Sequence, residues 1–386
     1  MNCFKSEVDD LIHQKGLSGK GVLVGHLDTG VDATHSALFG RIAEFKRFGY
    51  RGMTDETMPA WDSGWHGTHT ASLITAVAPD ARLCSGMVIE EGHIVSRIIA
   101  GLDWLLSCQV KIVLLSLGIF THSPVFRSLI QEMVQRDMLV IGSIGNRGAG
   151  KASVPGIYPE VLTVGAADGQ GYVPPFSGSY HPDGTETCQK PDITAPGVDI
   201  LAAVPGEAWA TRSGTSMAAA QVAGLAALLS EAFPALPAEV LRQALYASSA
   251  PVDARQAHRT NRGVVCPLAA YHWLETWTAA PGLSPTFPSA GEIEQQFIDP
   301  RIDKQLALAG DGDLCEVIVE LESWEVREQV VNMLEDLLQS PEIAGQWKEV
   351  VARPILVLKS PKWIIRQLMA WPAVKIVHAC DIDRWN

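Results

Sequence analysis

Short apolar runs alternate with longer segments of helical spacing along most of the chain. Four of these runs have the length of buried strands. They are Gly21 to Leu27, Lys111 to Leu117, Met138 to Ile144 and Val161 to Gly165. The segments between them carry apolar residues at helical spacing, as in Val95 to Ser107 and Ser123 to Arg136. Strands that alternate with helical crossovers predict an α/β domain with a mainly parallel sheet covered on both faces.

One predicted helix differs from the others because it is apolar on every face. The segment Met217 to Ala232 carries almost no polar residue. A helix of this kind lies in the interior of a large domain, whereas a surface helix keeps a polar side. We therefore expect it to be the central helix of the domain.

A change in composition marks a domain boundary. The periodic pattern breaks up from Thr276 to Pro300, where Pro, Gly, Ser and Ala are frequent, as is typical of a linker. We predict a large domain at 1–275, a linker at 276–310 and a small domain at 311–386.

The small domain is predicted to be α+β, with two helices on one small sheet. Its expected strands are Leu314 to Leu321, Ala352 to Leu358 and Ala373 to Ala379, with room for another near Gln346 to Val351. Its expected helices are Trp324 to Leu338 and Trp363 to Trp371.

Composition and charge exclude several classes of protein. With 386 residues, 47% of them hydrophobic, the chain can bury a substantial core. A net charge of −13 disfavours nucleic acid as a partner. No run approaches the roughly 18 apolar residues of a membrane span, and Met1 to Lys20 does not resemble a secretory signal. We therefore expect no membrane partner and a cytoplasmic location, in which the 7 Cys are reduced thiols.

The first candidate for chemistry is Asp28, in the sequence Asp28-Thr29-Gly30 directly after the first predicted strand. Ligands of open α/β sheets bind at this edge, where parallel strands end. An Asp in a turn also has a plain structural use, because its side chain accepts from nearby amides. A second motif of the same kind, Asp62-Ser63-Gly64, raises the alternative of an aspartic protease, which uses one such motif from each of two lobes. The two motifs are too close in the sequence for a lobe to fold between them.

The second candidate is His66, which is followed by the small residues Gly67 and Thr68 and then by His69. Small residues allow a helix to begin close to neighbouring backbone, so His66 is a candidate general base. A zinc site is disfavoured, since His-x-x-His lacks the Glu and the four-residue spacing of a helical zinc motif. A histidine without a chemical role remains open at this stage.

The third candidate is Ser216, in Gly214-Thr215-Ser216-Met217 at the start of the apolar helix. Free backbone N–H groups and the positive end of the helix dipole favour a developing anion there. A serine that only caps the helix is the alternative.

Together the three motifs, in the order Asp, His, Ser, resemble the subtilisin-like serine proteases. The resemblance covers about residues 6 to 275. It continues through Leu115 to Gly118, Gly145-Asn146, Tyr158 to Gly165 and Lys190 to Gly197.

This resemblance implies a three-layer subtilisin-like sandwich and a serine endopeptidase acting on a peptide or protein. Asp28, His66 and Ser216 would be the catalytic triad, and Asn146 would donate to the oxyanion. Ser116, Leu117 and Gly118 would be the edge against which an extended substrate binds. A peptide ligase or macrocyclase would use the same acyl-enzyme, and an inactive binding module is the third possibility. We expect no cofactor and no metal; structural calcium is used by many relatives, but no dense Asp and Asn cluster indicates it.

The small C-terminal domain resembles the propeptide domain of subtilases, a ferredoxin-like fold that assists folding and then inhibits the enzyme. The segment Val357 to Val377 carries this resemblance. It implies that the domain is an intramolecular inhibitor or folding aid. The tail Asp383, Arg384, Trp385 and Asn386 would then lie as a product-like peptide in the site.

Overall fold

The computed structural model describes the large domain almost completely and the C-terminal part in pieces. The described residues are 4–49, 54–55, 59–90, 94–120, 123–181, 190–279, 297–298, 302, 314–337, 347–349, 353–361, 365, 368–369 and 374–379.

The large domain contains ten strands and seven α-helices in its described part. The strands are β1 (Leu23–Asp28), β2 (Ile42–Phe48), β3 (Thr54–Asp55), β4 (Arg82–Met87), β5 (Ile112–Leu115), β6 (Leu139–Ser143), β7 (Leu162–Ala167), β8 (Ile193–Pro196), β9 (Ile200–Val204) and β10 (Ala208–Arg212). The helices are α1 (Phe4–His13), α2 (His66–Val77), α3 (Ile94–Ser107), α4 (Arg127–Gln135), α5 (Thr215–Ala232), α6 (Ala238–Ala247) and α7 (Pro267–Ala279).

Eight of these strands form one sheet in the order β3-β2-β4-β1-β5-β6-β7-β8. All neighbours in it are parallel except β2 and β3. The inner strands are buried throughout, as in β5 and β6, because helices cover both faces of a parallel sheet. The α/β class with a mainly parallel sheet is confirmed.

Two apolar cores lie on opposite faces of this sheet and make the domain three-layered. One core contains the central helix α5 together with α2 and residues of β1, β5 and β6. The other contains α3 and α4 and the alternate residues of the same strands. Helix α5 is buried on nearly all sides, as predicted, and it begins at Thr215, two residues before the expected start.

The C-terminal part contains β11 (Phe297–Ile298), β12 (Leu314–Leu321), α8 (Trp324–Leu337), β13 (Trp347–Glu349), β14 (Ile355–Pro361) and β15 (Val374–Ala379). Its sheet has the order β11-β15-β12-β14-β13. The four strands from β12 onward pair antiparallel throughout. This order, with α8 between β12 and β13, is the ferredoxin-like arrangement that the sequence predicts. Only residues 365 and 368–369 of the predicted second helix are described, and they are helical.

Of the two predicted domain boundaries, the one at 310/311 lies outside the described residues. Helix α7 extends to Ala279, past the expected boundary at 275, and β11 lies inside the expected linker at 276–310, where it pairs with β15. The division into 1–275, 276–310 and 311–386 therefore stays a prediction.

The sheet of the C-terminal part packs against the large domain through alternate side chains of two strands. Ile318, Ile355 and Val357 belong to the same core as helix α4. Their neighbours Leu356 and Leu358 point to the other side and join a separate core with Val330 of α8. Because successive side chains of a strand face opposite ways, the C-terminal sheet contributes one face to the core that contains α4 and the other face to the core that contains α8.

Polar contacts accompany this packing at the loop before α4 and along that helix. The Ser123 hydroxyl lies 2.8 Å from Nδ1 of His378, and both residues are fully buried. Arg353 Nε donates to the Ser128 carbonyl at 3.2 Å and lies 3.6 Å from the carboxylate of Glu132. Burial raises the pKa of Glu320, whose carboxyl lies in the same interface. The C-terminal part is thus joined to the large domain by both apolar and polar contacts.

No helix among the described residues is long and apolar enough to cross a membrane.

Candidate active site

Two of the predicted site residues meet at the carboxyl end of the central strands. Asp28 is the last residue of β1, and His66 is the first residue of α2. The Nδ1 atom of His66 lies 2.7 Å from Oδ1 and 2.9 Å from Oδ2 of Asp28. This hydrogen bond fixes the orientation of the ring and leaves Nε2 on the far side.

The Asp28 carboxylate has no exposed surface, so its charge depends on its neighbours. The Thr29 amide donates to Oδ1 at 2.7 Å, and the Thr70 hydroxyl donates to Oδ2 at 3.1 Å. His26 Nε2 lies 3.6 Å from Oδ2. Burial alone would raise the pKa of Asp28, but the interactions with His66 and His26 outweigh it and hold the pKa well below its usual range. The carboxylate is therefore charged at neutral pH.

A glycine permits helix α2 to begin so close to this carboxylate. A Cβ on Gly67 would lie 1.9 Å from the Gly30 carbonyl oxygen, so a larger residue would displace His66. The Gly67 amide donates to the Thr29 hydroxyl at 2.8 Å, and that hydroxyl donates to Asp62 at 2.7 Å. Asp62 also accepts from the amide and hydroxyl of Thr68. Asp62 thus anchors the first turn of α2. Its place in an Asp-Ser-Gly motif did not predict this structural role.

Ser216 lies in the first turn of α5, where it contacts the residue that follows β5. Its hydroxyl donates to the Ser116 carbonyl at 3.2 Å, and the Ser116 hydroxyl donates to the Ser216 carbonyl at 3.1 Å. Strands β1 and β5 are in register with His26 opposite Leu114, so Asp28 and Ser116 end at the same level of the sheet. Nucleophilic attack requires the Ser216 hydroxyl to turn from this carbonyl to Nε2 of His66.

The side-chain amide of Asn146 is oriented by the residue before Ser216. Its Oδ1 accepts from the Thr215 amide at 2.9 Å and from the Thr215 hydroxyl at 3.0 Å. With the oxygen used in this way, the NH₂ group is free to donate elsewhere. It lies close to Gly214, where a Cβ would come within 3.6 Å of Nδ2. The Ser216 amide is in the first helical turn and has no intrahelical acceptor, so two donors flank the start of α5.

The predicted substrate edge continues β5 beyond its last strand residue. Ser116 and Leu117 are buried, and Ile119 pairs with Val154 through bonds of 3.0 and 3.1 Å. A Cβ on Gly118 would lie 2.3 Å from the Ser153 hydroxyl. Glycine is therefore required where this edge passes Ser153.

Two residues that support the site were not singled out from the sequence. Thr70 lies one turn after His66 on the same face of α2, and its hydroxyl donates to the same carboxylate. The four-residue spacing between His66 and Thr70 could have predicted this contact. His26 lies two residues before Asp28 on β1, but strand alternation alone does not show that its ring reaches the carboxylate.

His69 is buried beside the site without joining it. Its Nε2 lies 3.1 Å from the Ala210 carbonyl oxygen, and burial lowers its pKa to about 4. It is therefore neutral at neutral pH. The described residues contain no group of three His, Cys, Asp or Glu side chains that could hold a metal ion.

The last predicted site segment, Asp383, Arg384, Trp385 and Asn386, lies outside the described residues. Strand β15 ends at Ala379, and the side chain of His378 in it contacts Ser123. Ser123 follows the predicted substrate edge by five positions.

Known proteins with the same fold and motifs identify the class of the chain. The profile of the subtilase family matches residues 19–265. Subtilisin E of Bacillus subtilis (strain 168) is 32% identical over 238 residues, which are 58% of this chain and 59% of subtilisin E. Subtilisin Savinase of Lederbergia lenta is 34% identical over 233 residues, 58% of this chain and 81% of that protein.

Among solved structures, the prenylagaramide maturation protease PagA is similar to this chain with a TM-score of 0.57 and 26% identity, over 69% of this chain and 98% of PagA. The chain belongs to the subtilase family. It spans 59% of the length of subtilisin E, so the activity of the whole protein is treated below as a proposal.

The buried Asp28 carboxylate predicts a specific dependence of stability on pH. Its pKa is lower in the folded than in the unfolded chain, so the unfolded chain binds more protons as the pH falls below about 5. The stability that this carboxylate contributes is present above its ordinary pKa and is lost toward lower pH. We expect the free energy of unfolding of the wild type to fall more steeply from pH 6 to pH 3 than that of Asp28→Asn.

Denaturant unfolding at several pH values, followed by circular dichroism, measures this difference. Ser216→Ala is the matched control, because it changes the same site without removing a titrating group, and it should keep the wild-type slope. Equal slopes for the wild type and Asp28→Asn would contradict the assigned shift.

Proposed function

We propose that this chain is a serine endopeptidase that hydrolyses peptide bonds through an acyl-enzyme on Ser216. The observation that carries the proposal is the buried Asp28 to His66 hydrogen bond of 2.7 Å, at the same end of the sheet as the first turn of α5 with Ser216. Membership of the subtilase family supports the same chemistry.

Each site residue has a defined task in this reaction. The Ser216 hydroxyl attacks the scissile carbonyl carbon while Nε2 of His66 takes its proton. Asp28 holds the ring by Nδ1 and stabilises its charged form. Asn146 Nδ2 and the Ser216 amide donate to the oxyanion. His66 then returns the proton to the leaving amine, and water releases the acyl group by the same steps.

The substrate of this enzyme is an extended peptide segment. In this proposal, it lies along Ser116, Leu117 and Gly118 and forms main-chain hydrogen bonds to that edge. The similar structure belongs to a maturation protease, which favours limited processing of a peptide precursor. Transfer of the acyl group to an amine, which gives ligation or macrocyclisation, is the second candidate. Mass spectrometry distinguishes them, because hydrolysis adds water across the cut bond.

The C-terminal domain acts as an internal inhibitor in this proposal. Two contacts support this inhibitory role. Apolar side chains of β12 and β14 pack against the core that contains α4, and His378 contacts Ser123. Seven residues follow Ala379, and an extended chain of that length spans up to about 25 Å. In this proposal, Asp383, Arg384, Trp385 and Asn386 lie in the site as a product-like peptide. Tethering raises the effective concentration of such a tail to the millimolar range.

The first experiment tests the chemistry with a fluorophosphonate and a peptide library. The proposal expects covalent labelling of the wild type at Ser216 and cleavage of at least one peptide, with both lost in Ser216→Ala. A folded wild-type protein that is neither labelled nor active on any peptide, before and after the tail is removed, would contradict the proposed function.

The role of Asn146 predicts a large loss of turnover. Removing one oxyanion-hole donor costs roughly 10²–10³-fold in kcat in subtilisin, and we expect a loss of that size for Asn146→Ala with KM little changed. Asn146→Asp separates donation from helix anchoring, because it keeps the acceptor for Thr215 and loses only the donor. Wild-type kcat in Asn146→Asp would show that Asn146 serves the helix alone.

The inhibitory tail predicts a gain of activity on its removal. A chain that ends at Cys380 should cleave peptides about tenfold faster or more than the full chain, because the tethered competitor is gone. A chain in which residues 381–386 are replaced by Gly and Ser should be equally active, and a synthetic peptide of residues 380–386 should inhibit both. No gain in either chain would rule out the tail as inhibitor.

A further inference from the structure

A fully buried histidine lies behind the proposed catalytic pair, between strand β4 and helix α2. His26 precedes Asp28 by two positions on β1, so the two side chains point to the same face of the sheet. Nδ1 of its ring lies 3.0 Å from Oγ of Ser85, its neighbour on β4. Nε2 lies 2.9 Å from Oγ1 of Thr70 on α2. The proposed reaction does not use this ring, although only one hydroxyl group separates it from Asp28.

The Ser85 hydroxyl fixes which nitrogen of His26 carries the proton. Ser85 is fully buried, and among the described residues its hydroxyl has no hydrogen-bond partner other than Nδ1 of His26. A buried O–H group without an acceptor is unfavourable, so this hydroxyl donates to Nδ1. Nδ1 can accept only when it carries no proton, and the neutral ring then carries its proton on Nε2.

The proton on Nε2 in turn fixes the direction of the Thr70 hydroxyl. Nε2–H of His26 donates to Oγ1 of Thr70, so the single hydrogen of that hydroxyl points elsewhere. Three oxygens lie within its reach: Oδ2 of Asp28 at 3.1 Å, the His66 carbonyl at 3.1 Å and the Gly67 carbonyl at 3.2 Å. Both carbonyls already accept from amides of helix α2, and a charged acceptor binds more strongly than a neutral one. The hydrogen therefore points to Asp28.

The opposite tautomer of His26 would remove this donor from Asp28. With its proton on Nδ1, the ring would accept the Thr70 hydrogen at Nε2, and that hydrogen would turn away from the carboxylate. The ring itself cannot replace it, because Nε2 lies 3.6 Å from Oδ2, beyond the distance of a hydrogen bond. Oδ2 would then share the His66 ring with Oδ1 and lose its hydroxyl donor.

We propose that His26 is a positioning residue of this site, which directs the Thr70 hydroxyl onto the carboxylate that orients His66. The inference rests on the proposed function, because it concerns the pair that transfers the proton in the same reaction. The hydrogen bonds run in one direction, from Ser85 through His26 and Thr70 to Asp28. Three side chains from β4, β1 and α2 thus hold Oδ2 of Asp28 in place, and through it the ring of His66.

The tautomer of His26 is a test that does not depend on catalysis. Two-dimensional ¹⁵N–¹H spectra of the full chain with labelled histidine distinguish a protonated from an unprotonated ring nitrogen. The Ser216→Ala variant, which should not hydrolyse peptides, is suited to this measurement, and loss of a signal in His26→Gln assigns it. We expect a proton on Nε2 of His26 and none on Nδ1 at neutral pH. A proton on Nδ1 overturns the inference.

Kinetics on a cleaved peptide test the consequence for Asp28. Thr70→Val removes the hydroxyl donor with little change of side-chain shape. We expect kcat to fall about tenfold with KM little changed, the effect of one hydrogen bond to a charged group. Thr70→Ser keeps the hydroxyl and should restore most of the rate. Thr194→Val is the matched control and should keep wild-type kcat, because this buried threonine of β8 has no hydrogen-bond partner for its hydroxyl among the described residues.

A double-mutant cycle shows whether His26 acts through Thr70. His26→Leu should lower kcat severalfold in the wild type and have little further effect in Thr70→Val, since the group that it directs is already absent. His26→Gln supplies an N–H donor toward Thr70 and should retain part of the rate. Additive losses in the cycle would show that His26 only fills the core, and they overturn the inference.

The outcomes separate this inference from the proposed function. An active wild type with additive losses, or with a proton on Nδ1 of His26, overturns the positioning role and leaves the peptidase. If no peptide is cleaved, the rate of fluorophosphonate labelling of Ser216 replaces kcat in the same cycle, and a wild type that is not labelled either contradicts both. Thermal unfolding shows whether each variant is folded. If His26→Leu does not fold, Ser85→Ala takes its place in the cycle with the same expected pattern, because it removes the donor that fixes the tautomer.

Discussion

The charge of Asp28 is the constraint around which the large domain is arranged. A carboxylate with no exposed surface is unfavourable unless several donors compensate it. Its donors are the Thr29 amide, the His66 ring and the Thr70 hydroxyl, and the ring of His26 on the same strand lies 3.6 Å away. Helix α2 must therefore begin against the end of β1, and Gly67 allows this because any Cβ there would meet the Gly30 carbonyl. In the proposed reaction, the ring that compensates the buried charge is also the group that transfers the proton.

The start of helix α5 also depends on hydrogen bonds to groups outside the helix. Its first amide must find an acceptor outside the helix, and Oδ1 of Asn146 provides one. Because that oxygen is occupied, the amide nitrogen of Asn146 is left to donate beside Ser216. Ser116 joins this helix to β5 by two hydrogen bonds. The requirements of helix capping thus leave two donors beside Ser216, where the proposed reaction uses them.

The prediction from sequence was most accurate where local pattern decides the structure. The apolar helix α5 and the buried strands β5, β6 and β7 appeared within two or three residues of their expected bounds. Helix α4 begins at Arg127 rather than Ser123, because Ser123 contacts His378 of the C-terminal sheet and its hydroxyl also accepts from the Val125 amide. Strand β14 extends to Pro361, past the expected end at Leu358, because it pairs with the full length of β12. These shifts come from partners that are distant in the chain.

The sequence by itself determined the class of this protein, since three short motifs in one order and an alternating α/β pattern suffice for a subtilase. It also identified Asp28, His66 and Ser216 as candidates, because each follows a strand or begins a helix, and Asn146 through the resemblance to subtilases. Only the tertiary structure decided which groups compensate the buried carboxylate and that Asp62 anchors α2. Hydrophobic periodicity reports which residues are buried, whereas hydrogen bonds and ion pairs between distant segments depend on three-dimensional positions that no local pattern contains.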